Sequence, residues 1–400
     1  MSEWKKVSLS EMGIVSRGKS KHRPRNDARL YGGRYPFIQT GDIGAAGLYV
    51  TDYSQTYNEE GLAQSKLWEV NTLCITIAAN IADTALLAFP ACFPDSIMGF
   101  VPYKNVANVK YVKYCFDILK KDCQQISQGT AQDNLSWKKL STIKFPCPPL
   151  EVQNRIAAIL SRYDSLIENY QKQIKLLEEA AQRLYKEWFV DLHFPGHENA
   201  KIVDGVPEGW EKKTVGDIAK IKSGYAFKSK DWQSTGCPVV KIKDITGTFV
   251  NSGLLDCVSF DIASKAKQYL LNSGDLVIAM TGATIGKIGI IVENGLYTNQ
   301  RVGKFFLNES DLPFVYCLFK QESSLKYIIQ ISSASSAQPN ISGKQLESLS
   351  FVYDKELYKK YNIECIPFFK QMISLQSQIR LLTEARDRLL PKLMSGEIAV

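Results

Sequence analysis

LEVQNRIAAILSRYDSLIENYQKQIKLLEEAAQRLYKEWF, from Leu150 to Phe189, is the stretch on which the fold turns. Placing Ile156, Tyr163, Tyr170, Leu177 and Leu184 at one heptad position puts Ile159, Leu166 and Ala180 three residues later, with Leu160, Ile167, Ile174 and Trp188 beside them. The spacing predicts a long helix with an apolar seam. Gln173 and Glu187 interrupt the seam, while Glu168, Lys172, Lys175, Glu178 and Glu179 fall largely on its solvated flanks. A helix of this length spans roughly 55 to 60 Å at ~1.5 Å per residue. A seam that long requires a partner.

The C-terminal part of the chain repeats the pattern. From Phe368 through Met372, Leu375, Ile379, Leu382 and Leu389 to Leu393 the spacing returns, and IKLLEEAAQRL from Ile174 shares its I, LL, EA and RL with IRLLTEARDRL from Ile379. Two such helices make either an ordinary core bundle or a duplicated pair of rods, and repeats elsewhere favour the pair. Trp4 with Val7 and Leu9 answers Trp210 with Val215; Pro36, Asp42 and Ile43 answer Pro238, Asp244 and Ile245. Gln132, Asn134, Leu135, Ser136, Leu140 and Phe145 match Gln338, Asn340, Ile341, Ser342, Leu346 and Phe351 at one constant offset. The chain therefore reads as α+β, with two pseudo-repeated mixed α/β domains joined by two long antiparallel coiled-coil helices. The divisions are 1–148 for the first domain, 149–190 for its helix, 191–209 for a linker, 210–354 for the second domain and 355–400 for the second helix. Ile159, Tyr163, Leu166, Tyr170, Leu177 and Leu184 are the expected seam of the first helix, and Met372, Leu375, Ile379, Leu382 and Leu389 that of the second.

Length and composition set the outer bounds. A chain of 400 residues is too long for one core and suits two domains plus helices. Lys and Arg number 49 against 41 Asp and Glu, a net +8 that permits an acidic partner without requiring one. The nine cysteines are scattered, odd in number and free of any C-x-x-C pair, which points to a reducing cytoplasm and away from disulfides or structural zinc. MSEWKKVSLSEMG does not read as a signal peptide, and the most apolar run, LCITIAANIADTALLAF, contains Asn80 and Asp83, so no membrane span is expected.

Candidate binding groups cluster in loops. Between Arg17 and Arg34, seven basic residues (Arg17, Lys19, Lys21, Arg23, Arg25, Arg29 and Arg34) face a single Asp27, with Gly18, Pro24, Gly32 and Gly33 as helix breakers. The segment is either a solvated charge run or a loop tracking a phosphate backbone. Tyr35 to Ile38 should begin a strand ending in the turn Thr40-Gly41-Asp42. TLCITIAANIADTALLA reads as buried strands with turns, placing Asn80 at a strand end. Asn108 to Gln125 has helical spacing. Polar loops then follow in both halves, Ser127 to Ser136 and Ser332 to Ser342, in which Thr130, Gln132, Ser335 and Gln338 offer paired hydrogen-bond chemistry suited to base edges. Asn134 and Asn340 either join that set or cap the helices that follow.

In the second half, PVVKIKDITG contributes Lys243 and GDLVIAMTGATIGKIGIIV resembles a phosphate loop only superficially. Three residues separate Gly282 from Gly286, and Ile288 follows Lys287 where Ser or Thr should stand. Thr281, Thr284 and Lys287 form either a ligand-facing turn or a structural hairpin. Asn299, Gln300 and Arg301 repeat the groove-reading chemistry. No catalytic constellation emerges: two of the three histidines, His193 and His197, lie in the linker without a ligand partner, and the paired prolines in CPPL do not make an amine-methylation motif. No metal site and no catalytic residue are expected.

Two variable domains, each followed by a long helix, with RIAAILSRYDSLIENYQKQIKLLEEAAQRLYKEWF in the middle and QIRLLTEARDRLLPKLMSGEI at the end, resemble the DNA specificity subunit of type I restriction-modification systems. TLCITIAANIADTALL, CFPDSIMGF and GTAQDNLS also resemble one recurrent class of target-recognition domain. The resemblance implies a non-catalytic reader of double-stranded DNA: each domain takes one half of a bipartite site, and the helices fix the gap and dock two modification subunits. S-adenosylmethionine would belong to those subunits, ATP and magnesium to separate restriction subunits, and this chain would hold no cofactor. One departure is that the lead-in CPPLEVQ has only VYDKELYKK as its counterpart, so docking at the two ends need not be equivalent. Two other readings stay open: a scaffold with peptide- or carbohydrate-binding domains, and the specificity subunit of an enzyme in which modification and cleavage share one partner chain.

Overall fold

The computed structural model describes residues 4–127, 135–333 and 339–400. The chain divides into two compact units, Met1–Asn169 with Leu381–Val400, and Tyr170–Arg380.

In the first unit a five-stranded sheet has the order Gly13–Arg17, Ile97–Pro102, Leu73–Thr76, Thr84–Leu87, Tyr49–Val50. Its first four strands pair antiparallel and Tyr49–Val50 adds on in parallel. LCIT and TALL are uninterrupted apolar runs because both faces of their strands are covered. One face packs against the helix Val109–Ser127, through Tyr111, Val112, Cys115 and Phe116, and against Ile156, Ala157 and Leu160 of the central helix with Leu393 and Met394 of the C-terminal one. The other face packs through Trp68, Cys74 and Phe93 toward a smaller sheet that includes Tyr31–Phe37 and Ala91–Cys92. Lys6–Val7 pairs with Phe145–Pro146 and ties the two ends of the domain together.

The second unit repeats this plan. Its main sheet runs Ala219–Ser223, Val302–Leu307, Leu276–Ala279, Ile288–Ile290, and Phe249 bridges Ile290 in parallel where Tyr49–Val50 stands in the first unit. The helix Leu312–Lys320 is buried along nearly its whole length, and Glu211–Thr214 pairs with Ser350–Tyr353 to close the domain.

The central helix Leu150–Phe189 and the C-terminal helix Lys355–Met394 each run 40 residues. Within the first unit Asp164 accepts a 2.6 Å hydrogen bond from Arg386, and within the second the Tyr361 hydroxyl donates to the carbonyl of Ala181 at 3.0 Å. Early residues of one helix meet late residues of the other in both units, so the pair is antiparallel. An aromatic cluster of Tyr185, Trp188, Phe189, Phe314, Tyr358 and Tyr361 fastens the helices to the second domain.

The seam of the central helix differs from the sequence expectation. The most buried stripe is Gln153, Ile156, Ala157, Leu160, Asp164, Ile174, Ala181, Tyr185 and Trp188, which keeps Ile156, Leu160, Ile174 and Trp188 of the expected seam and departs from its Tyr163, Tyr170, Leu177, Leu184 line. Those four residues, with Ile159, are half-buried, Ala180 is exposed and Leu166 is 42% exposed. The displacement has a physical cause, because Gln153, Asp164 and Glu178 are polar residues held inward by partners from the domains. In the C-terminal helix Met372, Leu375 and Ile379 are buried and Leu382 and Leu389 half-buried. We predict that Leu160→Ala, at a site with 0% exposure, costs about 2 to 5 kcal/mol in denaturant unfolding, whereas Leu166→Ala costs less than about 1 kcal/mol; equal losses would return the seam to its expected line.

Other expectations also change. The strand placed at Tyr35 starts at Tyr31 and carries a bulge between the two, and Thr40–Ala45 is a helix whose Asp42 closes a capping box with Gln39. Gly33 acts as a close-packed strand residue, since a Cβ there would lie 2.3 Å from Asn58 Cα. The linker is ordered: Phe194 is buried against Trp210, and Ile202–Val203 pairs with Val206–Pro207. Among the described residues no helix is long and apolar enough to cross a membrane.

Candidate nucleic-acid interface

The same arrangement of four chain segments occurs at one edge of each main sheet. In the first domain the hairpin turn Ile77 to Asp83 is central. Ala79 and Ala82 adopt left-handed backbone conformations there, and Thr76 Oγ1 donates to the carbonyl of Asn80 while accepting from Asp83 N at 3.0 Å. Ile77 N donates to the carbonyl of Ser96 at 3.0 Å, and Leu135 N donates to that of Ile77 at 2.9 Å. Gly18 N reaches the Ile97 carbonyl at 2.9 Å and Lys19 N that of Phe93 at 3.2 Å. The turn with Asn80, the turn Pro94 to Ser96, the start of the basic loop and the end of the polar loop are thus bound side by side.

The second domain reproduces these bonds. Met280 N donates to the Arg301 carbonyl at 3.0 Å, Ile341 N to Met280 at 3.0 Å, Gly224 N to Val302 at 2.9 Å and Tyr225 N to Thr298 at 2.9 Å. Gly18 and Gly224 occupy equivalent places for one reason. A Cβ on either would lie within 2.4 Å of carbonyl oxygens on the adjacent turn, those of Phe93 and Pro94 or of Thr298 and Asn299. Two domains of low identity share this edge because backbone hydrogen bonds build it, and side chains on it are free to vary.

Those side chains differ between the halves. The first domain presents exposed Lys19, Lys21 and Asn80, with Arg23 and Arg25 turned toward Asp95. Arg25 pairs with Asp95 at 2.6 Å, and Arg23 donates to the carbonyls of Ser20 and His22 at 2.6 and 2.8 Å. Arg29 and Arg34 stand apart, toward the smaller sheet. Arg29 pairs with Asp27 at 2.7 Å, and its hydrogen bonds hold that carboxyl well below the usual carboxylate range; Arg34 lies 3.6 Å from Glu59. The loop is therefore less naked than its sequence indicates. Exposed ion pairs of this kind are worth about 0 to 1 kcal/mol, so a phosphate can displace the carboxylate partner.

In the second domain Asn299, Gln300 and Arg301 form the turn equivalent to Pro94 to Ser96, with Arg301 N donating to Asn299 Oδ1 at 3.3 Å and both Gln300 and Arg301 exposed. Thr281 and Thr284 lie in the central hairpin turn, and their buried hydroxyls have no hydrogen-bond partner among the described residues. Lys287 is exposed where the hairpin resumes. The segment joins two strands and not a strand to a helix, which removes the context a phosphate loop needs. Lys243 flanks the group in the turn Ile242–Asp244 and pairs with Asp256 at 2.9 Å.

Thr130, Gln132, Ser335 and Gln338 lie outside the described residues, as does Asn134. Asn340 is exposed and bridges Thr281, and the helix caps are Ser136 and Ser342, whose hydroxyls accept from Lys139 N and Gln345 N. Sequence reading passed over Asp95, Ser96 and Tyr225. Their signal was the duplication itself, because Asp95-Ser96 and Gln300-Arg301 take the same place, but the residues share no chemistry. Among the described residues no group of three or more His, Cys, Asp or Glu is placed to hold a metal ion.

The family model described as Type I restriction modification DNA specificity domain matches residues 1–179 and again 207–352. The MjaIX specificity subunit, a type I restriction enzyme subunit of Methanocaldococcus jannaschii, is 26% identical over 416 positions covering 100% of this chain and 94% of that one. The MjaVIII specificity subunit of the same organism is 27% identical, covering 100% and 93%. In fold, the chain is similar to the type I restriction-modification system S subunit from M. genitalium, with a TM-score of 0.63 at 18% identity over 98% of this chain and 96% of that one. One match on each half, together covering most of the sequence, accounts for the duplicated edge, and the chain belongs to the type I restriction-modification DNA specificity family.

Proposed function

We propose that this chain is the sequence-specific DNA-recognition subunit of a type I restriction-modification complex. Each domain reads one half of a bipartite target, and the paired helices set the gap and dock the modification subunits. The reading rests above all on the four-segment edge, built twice from the same backbone bonds and furnished with different side chains, as two unlike half-sites would require. Amides and arginine on one edge and lysines with an asparagine on the other supply donors and acceptors for base edges and cations for phosphates. Half-sites about one helical turn apart (~34 to 36 Å) suit two readers on a spacer of this length. The chain itself is non-catalytic in this reading. S-adenosylmethionine acts on the modification subunits, and ATP and magnesium on restriction subunits. Nine free cysteines suit a reducing compartment.

Methylome mapping of the host with and without this chain tests the proposal. A split motif with a fixed gap should lose its methylation on deletion; a methylome that does not change rejects the reading. A second expected result concerns the basic loop. Neutralising Arg23, Arg25 and Arg29 should flatten the dependence of log affinity on log salt by about 0.9 for each phosphate left without its cation, and an unaltered slope would make the loop a solvated charge run.

A further inference from the structure

Each domain sends a buried tyrosine toward the rods. Tyr114, on Val109–Ser127, donates its hydroxyl to Asp164, which is 7% exposed and also accepts from Arg386 at 2.6 Å. Tyr316, on Leu312–Lys320, donates to Glu178 at 2.5 Å, and the same carboxylate accepts from Thr248 at 2.5 Å and lies 3.3 Å from Lys320. Burial, reinforced by the adjacent carboxylate, pushes both hydroxyls far above the ordinary tyrosine range, so both remain donors.

The tyrosines are duplicated, each followed by a cysteine in Tyr114-Cys115 and Tyr316-Cys317, but the acids are not. Aligning Ile174 with Ile379 sets Asp164 opposite Phe369 and Glu178 opposite Thr383. Phe369 indeed packs its ring on Tyr316 at 5.2 Å, in the place an acid would take if the first arrangement had been copied. Both acids thus belong to the central helix, at positions 164 and 178, a spacing of two heptads. The C-terminal helix contributes Arg386 to the first group and an aromatic ring to the second.

We infer that Asp164 and Glu178 are positioning residues through which the central helix fixes the two recognition domains in register, alongside the contacts that the C-terminal helix makes through Tyr358, Tyr361 and Asn362. The inference rests on the bipartite reading above. It assigns to one buried and one partly buried carboxylate a part in gap selection. A carboxylate holding a tyrosine, a base and, in the second domain, a threonine fixes direction as well as proximity, which apolar packing does not.

The test compares the full-length chain, assembled with its modification subunits, with Tyr114→Phe, Tyr316→Phe, Asp164→Asn and Glu178→Gln variants. The probe is a set of duplexes carrying the mapped half-sites at the native gap and at gaps one base pair shorter and longer. Circular dichroism reports the folded fraction. The tyrosine variants remove a single oxygen each and remain informative if the carboxylate variants fail to fold. We expect the preference for the native gap to fall about tenfold, the equivalent of losing one hydrogen bond to a charged acceptor, while half-site sequence preference is kept. Gap preference unchanged in folded variants overturns the inference, as does a loss equal at all gaps and proportional to the folded fraction. A wild-type complex indifferent to the gap overturns the bipartite reading itself, and this inference with it.

Discussion

Inserting four residues between Tyr170 and Leu177 is expected to widen the recognised gap by about one to two base pairs, since four residues add ~6 Å of helix and a base pair occupies ~3.4 Å of duplex. This interval is continuous helix and lies between Asp164 and Glu178, so the added length falls between the two acids, with Ile174 the one buried residue within it. Four residues advance the helix by about 40° past a full turn, which approximately preserves the alternation of the buried stripe. The opposing helix is not lengthened, so some pairing is lost near the insertion. That loss is small beside the packing of Leu160, Tyr185 and Trp188 with their domains, and it weakens binding without setting the spacing. Methylation of duplexes with graded gaps measures the outcome. A variant that folds and keeps its original gap would show that the helix is not the ruler.

Periodicity and duplication were what the sequence made legible. Two forty-residue helices, the strand pair LCIT and TALL, and the matched ends of the domains all follow from patterns a few residues long repeated many times. What escaped were features whose partners lie far away in the chain. Glu178 looked like a flank residue because charges normally face water, and nothing in the local pattern singled out Asp164. They turn inward because Tyr114 and Arg386 stand 50 and 222 residues from the first, and Tyr316 138 from the second. The same distance effect hid the state of the basic loop, whose Arg25 finds Asp95 70 residues on. Gly33 breaks helix as expected but lies in a strand and not in a loop: glycine beside Asn58 marks close approach of two backbones, which composition alone does not reveal. The candidate edge was half visible. Gln300 and Arg301 announce themselves by chemistry, but their counterparts Asp95 and Ser96 are found only from the shared hydrogen bonds.

Arg301→Ala is expected to disturb one half-site and spare the other. Its backbone is fixed on both sides, by the carbonyl that accepts from Met280 N at 3.0 Å and by the amide that donates to Asn299 Oδ1 at 3.3 Å, so truncation leaves the turn intact. Unlike Arg25 and Arg29, Arg301 has no ion pair among the described residues, and its guanidinium is presented without an internal competitor. If it reads a base edge, the variant loses about 1 to 3 kcal/mol of binding and relaxes specificity at one position. If it holds a phosphate, affinity falls evenly across sequences and the salt slope drops by about 0.9. Selection from a random duplex pool, followed by a salt titration, separates these outcomes. In both, the half-site read by the first domain stays sharp, because a different turn, with Asp95 and Ser96, stands in the equivalent place there. Unchanged affinity, salt slope and motif would remove this turn from the interface, and relaxation of both half-sites together would contradict two independently reading domains.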